Sequence, residues 1–233
     1  MTIAFKDILL LPLLLLILNC SGEKDNPTTF KSQNEYAQYF NIEQNENEIV
    51  LQINEGWNGE AKIFNYKLKE RSKLNSKVLN PDEIPFPLER VVCMSTSHIS
   101  YINAIGKSNS IVAISGSQYI SDSSIISGIQ AKEIYDIGFE SSINYELLLS
   151  LRPDVVFTYG ISGENNTYID KIREMGIKVI VLGDYLEEHP LGKLEYLKLF
   201  GKLYMEDNFA DSVFRASSGK YIEKRNKMLD VDK

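Results

Sequence analysis

The residues with the widest chemical range in this sequence form one short run, Ser95-Thr96-Ser97-His98, three hydroxyls followed by an imidazole. A nucleophilic hydrolase needs its histidine brought to the hydroxyl from elsewhere in the chain, oriented by a third group, and often carries the serine in a Gly-x-Ser-x-Gly turn. No such turn occurs, and neighbouring positions are not a triad. The other histidine, His189, is remote, and neither stands in the His-x-x-x-His or Cys-x-x-Cys spacing of a zinc site. Asp136-Ile137-Gly138 does not make the Gly-x-Gly-x-x-Gly that cradles a dinucleotide. These patterns argue against an enzyme and against a built-in metal or cofactor. Recognition is the better use of such groups, because hydroxyls and phenols just beyond a strand suit a polar small molecule. The ligand-contact candidates are Ser95, Thr96, Ser97, His98, Ser117, Tyr119, Tyr159 and Glu187. Each has a plainer reading: Ser95 to Ser97 as helix caps, His98 as helix packing, Tyr159 as a ring at the core rim, Glu187 as a capping or partner-facing acid.

The elements that must position these residues are legible as alternating strands and helices. Arg90-Val91-Val92-Cys93-Met94 is a short apolar run suited to a strand covered on both faces. Ser95 to Ser97 then cap a helix in which Ile99, Ile102, Ala104 and Ile105 recur at helical spacing before Gly106. Ile111 to Ile114 repeats the strand pattern and leads into Ser115-Gly116-Ser117-Gln118-Tyr119, expected as a mobile loop. Asn144 caps a helix running to Leu151, and Arg152-Pro153-Asp154 closes it. Asp154 to Tyr159 is a strand, Asn166 to Met175 a helix, and Lys178 to Leu182 a further strand. This alternation predicts an α/β fold with a parallel sheet and helices on both faces, and open sheets of that kind bind ligands beyond the carboxyl ends of their strands. Upstream, Ile49 to Ile53 and Ala61 to Leu68 alternate as an antiparallel strand pair, with Trp57 in their connection. Pro81, Pro85 and Pro87 mark an extended segment. Downstream, Leu194 to Tyr204 gives a helical face, and Asp207 to Met228 reads as a long charged helix.

The first residues read as a targeting segment: Lys6 and Asp7 precede the apolar run Ile8 to Leu18, which is short for a membrane span. Asn19-Cys20-Ser21-Gly22 follows, and Cys20 resembles the cysteine that bacteria acylate after cleavage of a lipoprotein signal peptide. Asn19 departs from the small residue usual before it. With Cys20 so used, Cys93 stands alone among apolar neighbours and reads as a buried thiol. A formal net charge of -7 offers no basic field for a phosphate backbone, so nucleic acid is not an expected partner.

From about Ile49 to Met228 the chain resembles the periplasmic substrate-binding proteins that serve ABC importers of ferric siderophores, haem and cobalamin. The resemblance lies in Arg90 to His98, Asp136-Ile137-Gly138, Asn144-Tyr145-Glu146, Leu151 to Val156 and Tyr185 to Gly192, in that order and spacing. It implies two α/β lobes joined by a long helix, with ligand held between them. On that pattern, 1–19 is a lipoprotein signal peptide, 20–45 a tether, 46–205 the amino-terminal lobe and 206–233 the interlobe helix, the second lobe being absent. It also implies importer membrane subunits as partners docking on Glu146, a ferric chelate, haem or corrinoid as ligand, and a lipid anchor at Cys20 on the periplasmic or cell-surface face of a bacterial membrane. The alternative is a truncated lipoprotein that no longer transports and acts as an interaction module.

Overall fold

The chain is described here by a computed structural model covering residues 32–55, 62–74, 79–139, 142–160 and 167–231. The leader, Cys20 and Trp57 lie outside these residues, as does Asn166.

Short runs rich in β-branched residues build four strands of the main sheet, β5 (Val91–Cys93), β6 (Ile111–Ile114), β8 (Val155–Thr158) and β9 (Val179–Val181), and a two-residue edge strand, β7 (Tyr135–Asp136), completes it. They pair in the order β7-β6-β5-β8-β9, and every pairing is parallel. Side chains alternate across a strand, so each strand feeds two cores. Val91, Cys93, Ile111, Ile114, Val155, Phe157 and Ile180 point to one, while Val92, Val112, Val156, Val179 and Val181 point to the other. The first core is closed by Ile99 and Ile102 of α1 (Thr96–Ala104), by Ile125 of α2 (Ser123–Gln130) and by α5 (Pro190–Leu203). The second is closed by Leu148 and Leu151 of α3 (Tyr145–Leu151) and by Ile169 and Ile172 of α4 (Thr167–Glu174). The chain therefore winds outward from β5 on one face, returns, and winds outward from β8 on the other. The strand order reverses between β5 and β8.

The expected strand pair is part of a four-stranded sheet, β1 (Phe40–Gln44), β2 (Ile49–Asn54), β3 (Ile63–Glu70) and β4 (Glu83–Phe86). β1 to β3 run antiparallel, and β4 joins β3 in parallel. The proline-marked segment thus forms a strand after all, because Pro85 sits on the sheet edge where a missing N–H costs no ladder bond. Phe40, Leu51, Ile53, Tyr66, Leu68 and Ile84 press this sheet into the first core. The Tyr66 hydroxyl ties the two sheets by donating to the Val179 carbonyl at 2.8 Å.

The tether expected over 20–45 is likewise corrected within its described part. From Ser32 onward the chain is folded, with Ala37 and Phe40 buried in the first core. Its polar composition reads as solvated chain, but the polarity is absorbed locally. The Ser32 hydroxyl and Asn34 amide both donate to the Phe40 carbonyl, and Asn41 accepts from the Gln33 N–H. The last helix, α6 (Asp207–Val231), lies against α5 through Ala210 and Phe214.

Phe200 sits where sheet and helices meet, its ring centroid 5.0 Å from Phe157 and 5.4 Å from Tyr101. Removing a fully buried phenyl loses its transfer free energy and leaves a void, so Phe200→Ala is expected to lower the free energy of unfolding by about 3–5 kcal/mol, read from urea denaturation. A loss below about 1 kcal/mol contradicts this packing.

Candidate functional site

With all five strands parallel, their carboxyl ends share one rim. At such a rim the loops on either side of the reversal diverge and leave a crevice. The reversal between β5 and β8 sets the loop opening at Ser95 next to the loop opening at Tyr159.

Ser95 caps α1 in an extended conformation, its hydroxyl accepting from the Ser97 N–H at 3.3 Å and lying 2.9 Å from the Ser97 hydroxyl. Thr96 is exposed beside them. The loop after β6 is fixed by Asp136, at the end of the neighbouring β7. Its carboxylate accepts from the N–H groups of Gly116, Ser117 and Gly138 at 3.1, 2.7 and 2.9 Å. Partial burial pushes the Asp136 carboxyl up, but the Ser117 hydroxyl and those amides outweigh it and hold the group below its ordinary value. The loop expected to be mobile is therefore pinned at its base. Gly138 has to be glycine: its φ is +84°, and an added Cβ would lie 2.4 Å from the Ser142 carbonyl oxygen. Beyond this base Tyr119 stands 65% exposed, edge-on to Phe139 with centroids 6.4 Å apart.

On the loop after β8, Tyr159, half-buried, meets Tyr185 edge-on at 6.4 Å. The Tyr185 hydroxyl donates to the Gly160 carbonyl, and the Tyr168 hydroxyl donates to the Tyr159 carbonyl at 3.2 Å. Burial, followed by the charge of Asp184, pushes the Tyr185 phenol up to about 12, so it remains a proton donor at neutral pH. Two aromatic pairs and several hydroxyls thus stand on loops that leave the same end of the sheet, groups suited to stacking on a planar ligand and hydrogen-bonding its polar edge.

Two of the sequence candidates do not face this rim. His98 is completely buried, packed edge-on against Phe157, with Nε2 3.9 Å from the Asp184 carboxylate. Burial dominates its titration and lowers it to about 4 against the opposing pull of Asp184 and the Phe157 carbonyl, so the imidazole is neutral. Glu187, also buried, spends its carboxylate on the backbone N–H groups of Gln38 and Tyr39 at 2.8–3.1 Å. Burial pushes that carboxyl up, and the two amides offset the push only in part. Both residues lie just past a strand, as their spacing implied, but in positions that turn inward.

Asp136, Phe139 and Tyr185 belong to the rim and were not among the candidates. Asp136 had a readable signal in the Asp-x-Gly that follows a strand; the aromatic rings had none, because their role depends on which loops meet. Glu146 is exposed on the first turn of α3, whose N-cap is Asn144. The thiol of Cys93 is buried and its titration is pushed far up by burial.

An apolar cavity of about 500 Å³, lined by Phe64, Tyr66, Pro81 and Ile177, lies at the opposite, amino end of β9. It contains none of the rim groups. Among the described residues, no group of three or more His, Cys, Asp or Glu could hold a metal ion, and no helix is long and apolar enough to cross a membrane.

No protein-family model matches the chain. Among curated proteins it is 29% identical over 174 residues to an uncharacterized lipoprotein of Methanocaldococcus jannaschii, covering 71% of this chain and 40% of that protein. It is also 29% identical over 99 residues to an uncharacterized protein of the same organism, covering 42% of this chain and 28% of the other. The chain spans less than half the length of either relative. Among solved structures, a periplasmic binding protein from Veillonella parvula superposes with a TM-score of 0.51 at 14% identity, over 81% of this chain and 55% of that one. The vitamin B12 binding protein of Vibrio cholerae gives a TM-score of 0.45 at 21% identity, over 61% and 52% of the two chains. Over the matched part, the fold is that of a periplasmic binding protein.

A buried neutral histidine makes stability depend on pH. The unfolded imidazole takes up its proton near 6.5 and the folded one only near 4, so protonation favours the unfolded chain as pH falls between those values. The expected loss from pH 7 to below pH 4 is about 3 kcal/mol from this group alone. His98→Leu is expected to flatten the stability profile between pH 6.5 and 4.5, measured by urea unfolding; an unchanged slope contradicts the buried placement.

Proposed function

We propose that this chain is the ligand-holding lobe of an extracytoplasmic solute-binding component of an ABC importer for a ferric chelate, haem or cobalamin. The observation that carries the reading is the convergence of Ser95, Thr96, Ser97, Ser117, Tyr119, Tyr159 and Tyr185 on the carboxyl rim of one parallel sheet, astride the point where the strand order reverses. Hydroxyls and ring faces grip a large, rigid, polar-edged ligand without charge neutralisation, which fits a chelate or a macrocycle better than a small inorganic anion.

The remaining parts fit the same role. Acylation at Cys20 places the lobe outside the cytoplasm, held to the membrane, and the lipoprotein relative in Methanocaldococcus jannaschii supports that location. Glu146 docks on the importer's membrane subunits: an exposed carboxylate on a rigid helix pairs readily with an arginine cluster, which steers encounter and fixes orientation. In the two-lobed pattern that the resemblance implies, a second lobe would close over this rim and supply the other half of the ligand's surroundings.

Calorimetric titration of the chain with haemin, cyanocobalamin and a ferric hydroxamate is expected to give saturable binding with one of them. Tyr119→Ala and Tyr185→Ala should each weaken that binding by about three- to tenfold, the worth of one aromatic contact, without changing the thermal midpoint by more than a few degrees. No binding of any of the three, or affinities untouched by both substitutions, overturns the proposal.

A further inference from the structure

Residues 32–39 cross the end of the lobe as a strap, and their backbone is held by an arrangement of unusual cost. The N–H groups of Glu35, Tyr36 and Ala37 all donate to the Glu195 carboxylate, at 3.1, 2.8 and 2.9 Å. Those of Gln38 and Tyr39 donate to Glu187. Five successive amides are thus spent on two carboxylates that are 0% and 3% exposed. Taking two acids out of water is expensive, and a purely structural strap could satisfy its amides on a neighbouring strand instead.

The two acids differ in where they stand. Glu195 lies mid-way along α5, paired with Lys198 at 2.7 Å. Glu187 ends the tight turn Asp184–Leu186 that carries Tyr185 to the rim. The strap touches this turn at its other end too, since the Tyr39 side chain rests where a Gly183 side chain would begin, 3.0 Å from that point. The strap itself is moored to β2 by the Asn54 N–H donating to the Tyr39 carbonyl at 2.9 Å.

We propose that the strap is a working part of the binding site, and that Glu187 is the positioning residue through which it sets the Tyr185 loop. Glu195 only fastens the strap to α5. The effect on ligand rests on the binding function proposed above; the effect on the loop does not. In a chain anchored upstream of residue 32, the same link places the rim one short step from the tether.

The test compares Glu187→Gln with Glu195→Gln in the full chain. Each removes one negative charge that faces the same strap, but only the first lies on the loop. Hydrogen exchange is expected to rise at least tenfold in the segment 183–188 for Glu187→Gln and to stay at the wild-type rate there for Glu195→Gln, which loosens 35–37 alone. The amides of Leu186 and Glu187, bonded within the turn to Gly183 and Asp184, are the reporters. Tyr39→Ala keeps both amide bonds to Glu187 and the Cβ nearest Gly183 and removes the ring beyond it, so it should loosen the same segment to a smaller degree should Glu187→Gln fail to fold. Titration with haemin forms the second arm, where Glu187→Gln is expected to bind at least fivefold more weakly than Glu195→Gln. Exchange in 183–188 that is unchanged by Glu187→Gln and Tyr39→Ala, or raised equally by Glu195→Gln, overturns the proposal. A wild-type chain that binds no haemin while the exchange contrast stands counts against the ligand and leaves the coupling supported.

Discussion

Parallel pairing of β5 to β9 is the constraint from which the rest follows. Parallel strands need crossover helices, crossovers cover both faces, and strands covered on both faces must be apolar throughout. Polar side chains are then confined to the ends of the strands, where Asp136 and Thr158 stand. Because every strand points the same way, the loops that leave the carboxyl ends form a single rim, and the reversal between β5 and β8 opens it. Ser95, Ser117, Tyr119, Tyr159 and Tyr185 come from loops far apart in sequence, yet the sheet leaves them no other place to be.

The same exclusion explains why the acids that turn in from the loops are matched by main-chain amides. Asp136 satisfies three backbone N–H groups at the base of two rim loops. Glu187 and Glu195 together satisfy the strap. In each case an acid that is costly to bury is offset by charge-assisted bonds from main-chain amides, and each fixes the path of a loop that has no ladder to hold it. The rim is rigid at its base through these carboxylates while its aromatic tips remain accessible, which is the combination that lets a site hold a shape before ligand arrives.

Much of this was readable in the residues. The apolar runs at Val91–Cys93, Ile111–Ile114, Val155–Thr158 and Val179–Val181 are strands where the pattern put them, since a doubly covered strand has a composition few other elements share. The loops following them hold the exposed hydroxyls and phenols for the same reason. What escaped were elements defined by partners: β1, whose residues Phe40 and Ile42 lie in a polar context; β4, interrupted by Pro85; and α2, a serine-rich helix recognisable mainly by the Asp122 side chain that caps it. His98 and Glu187 show the limit within the site. Position after a strand tells which end of the sheet a residue occupies, but not whether its side chain turns toward solvent or toward the core. For Glu187 that choice was made by amides about 150 residues earlier in the chain, which no local pattern encodes.

The carboxyl rim is the surface of this lobe proposed to receive the ligand. A crystal structure of the chain with its bound ligand tests it most directly. The account predicts ligand density between the Tyr119–Phe139 and Tyr159–Tyr185 pairs, over the amino end of α1. Density in the apolar cavity beside Phe64 and Ile177, at the far end of the sheet, contradicts it.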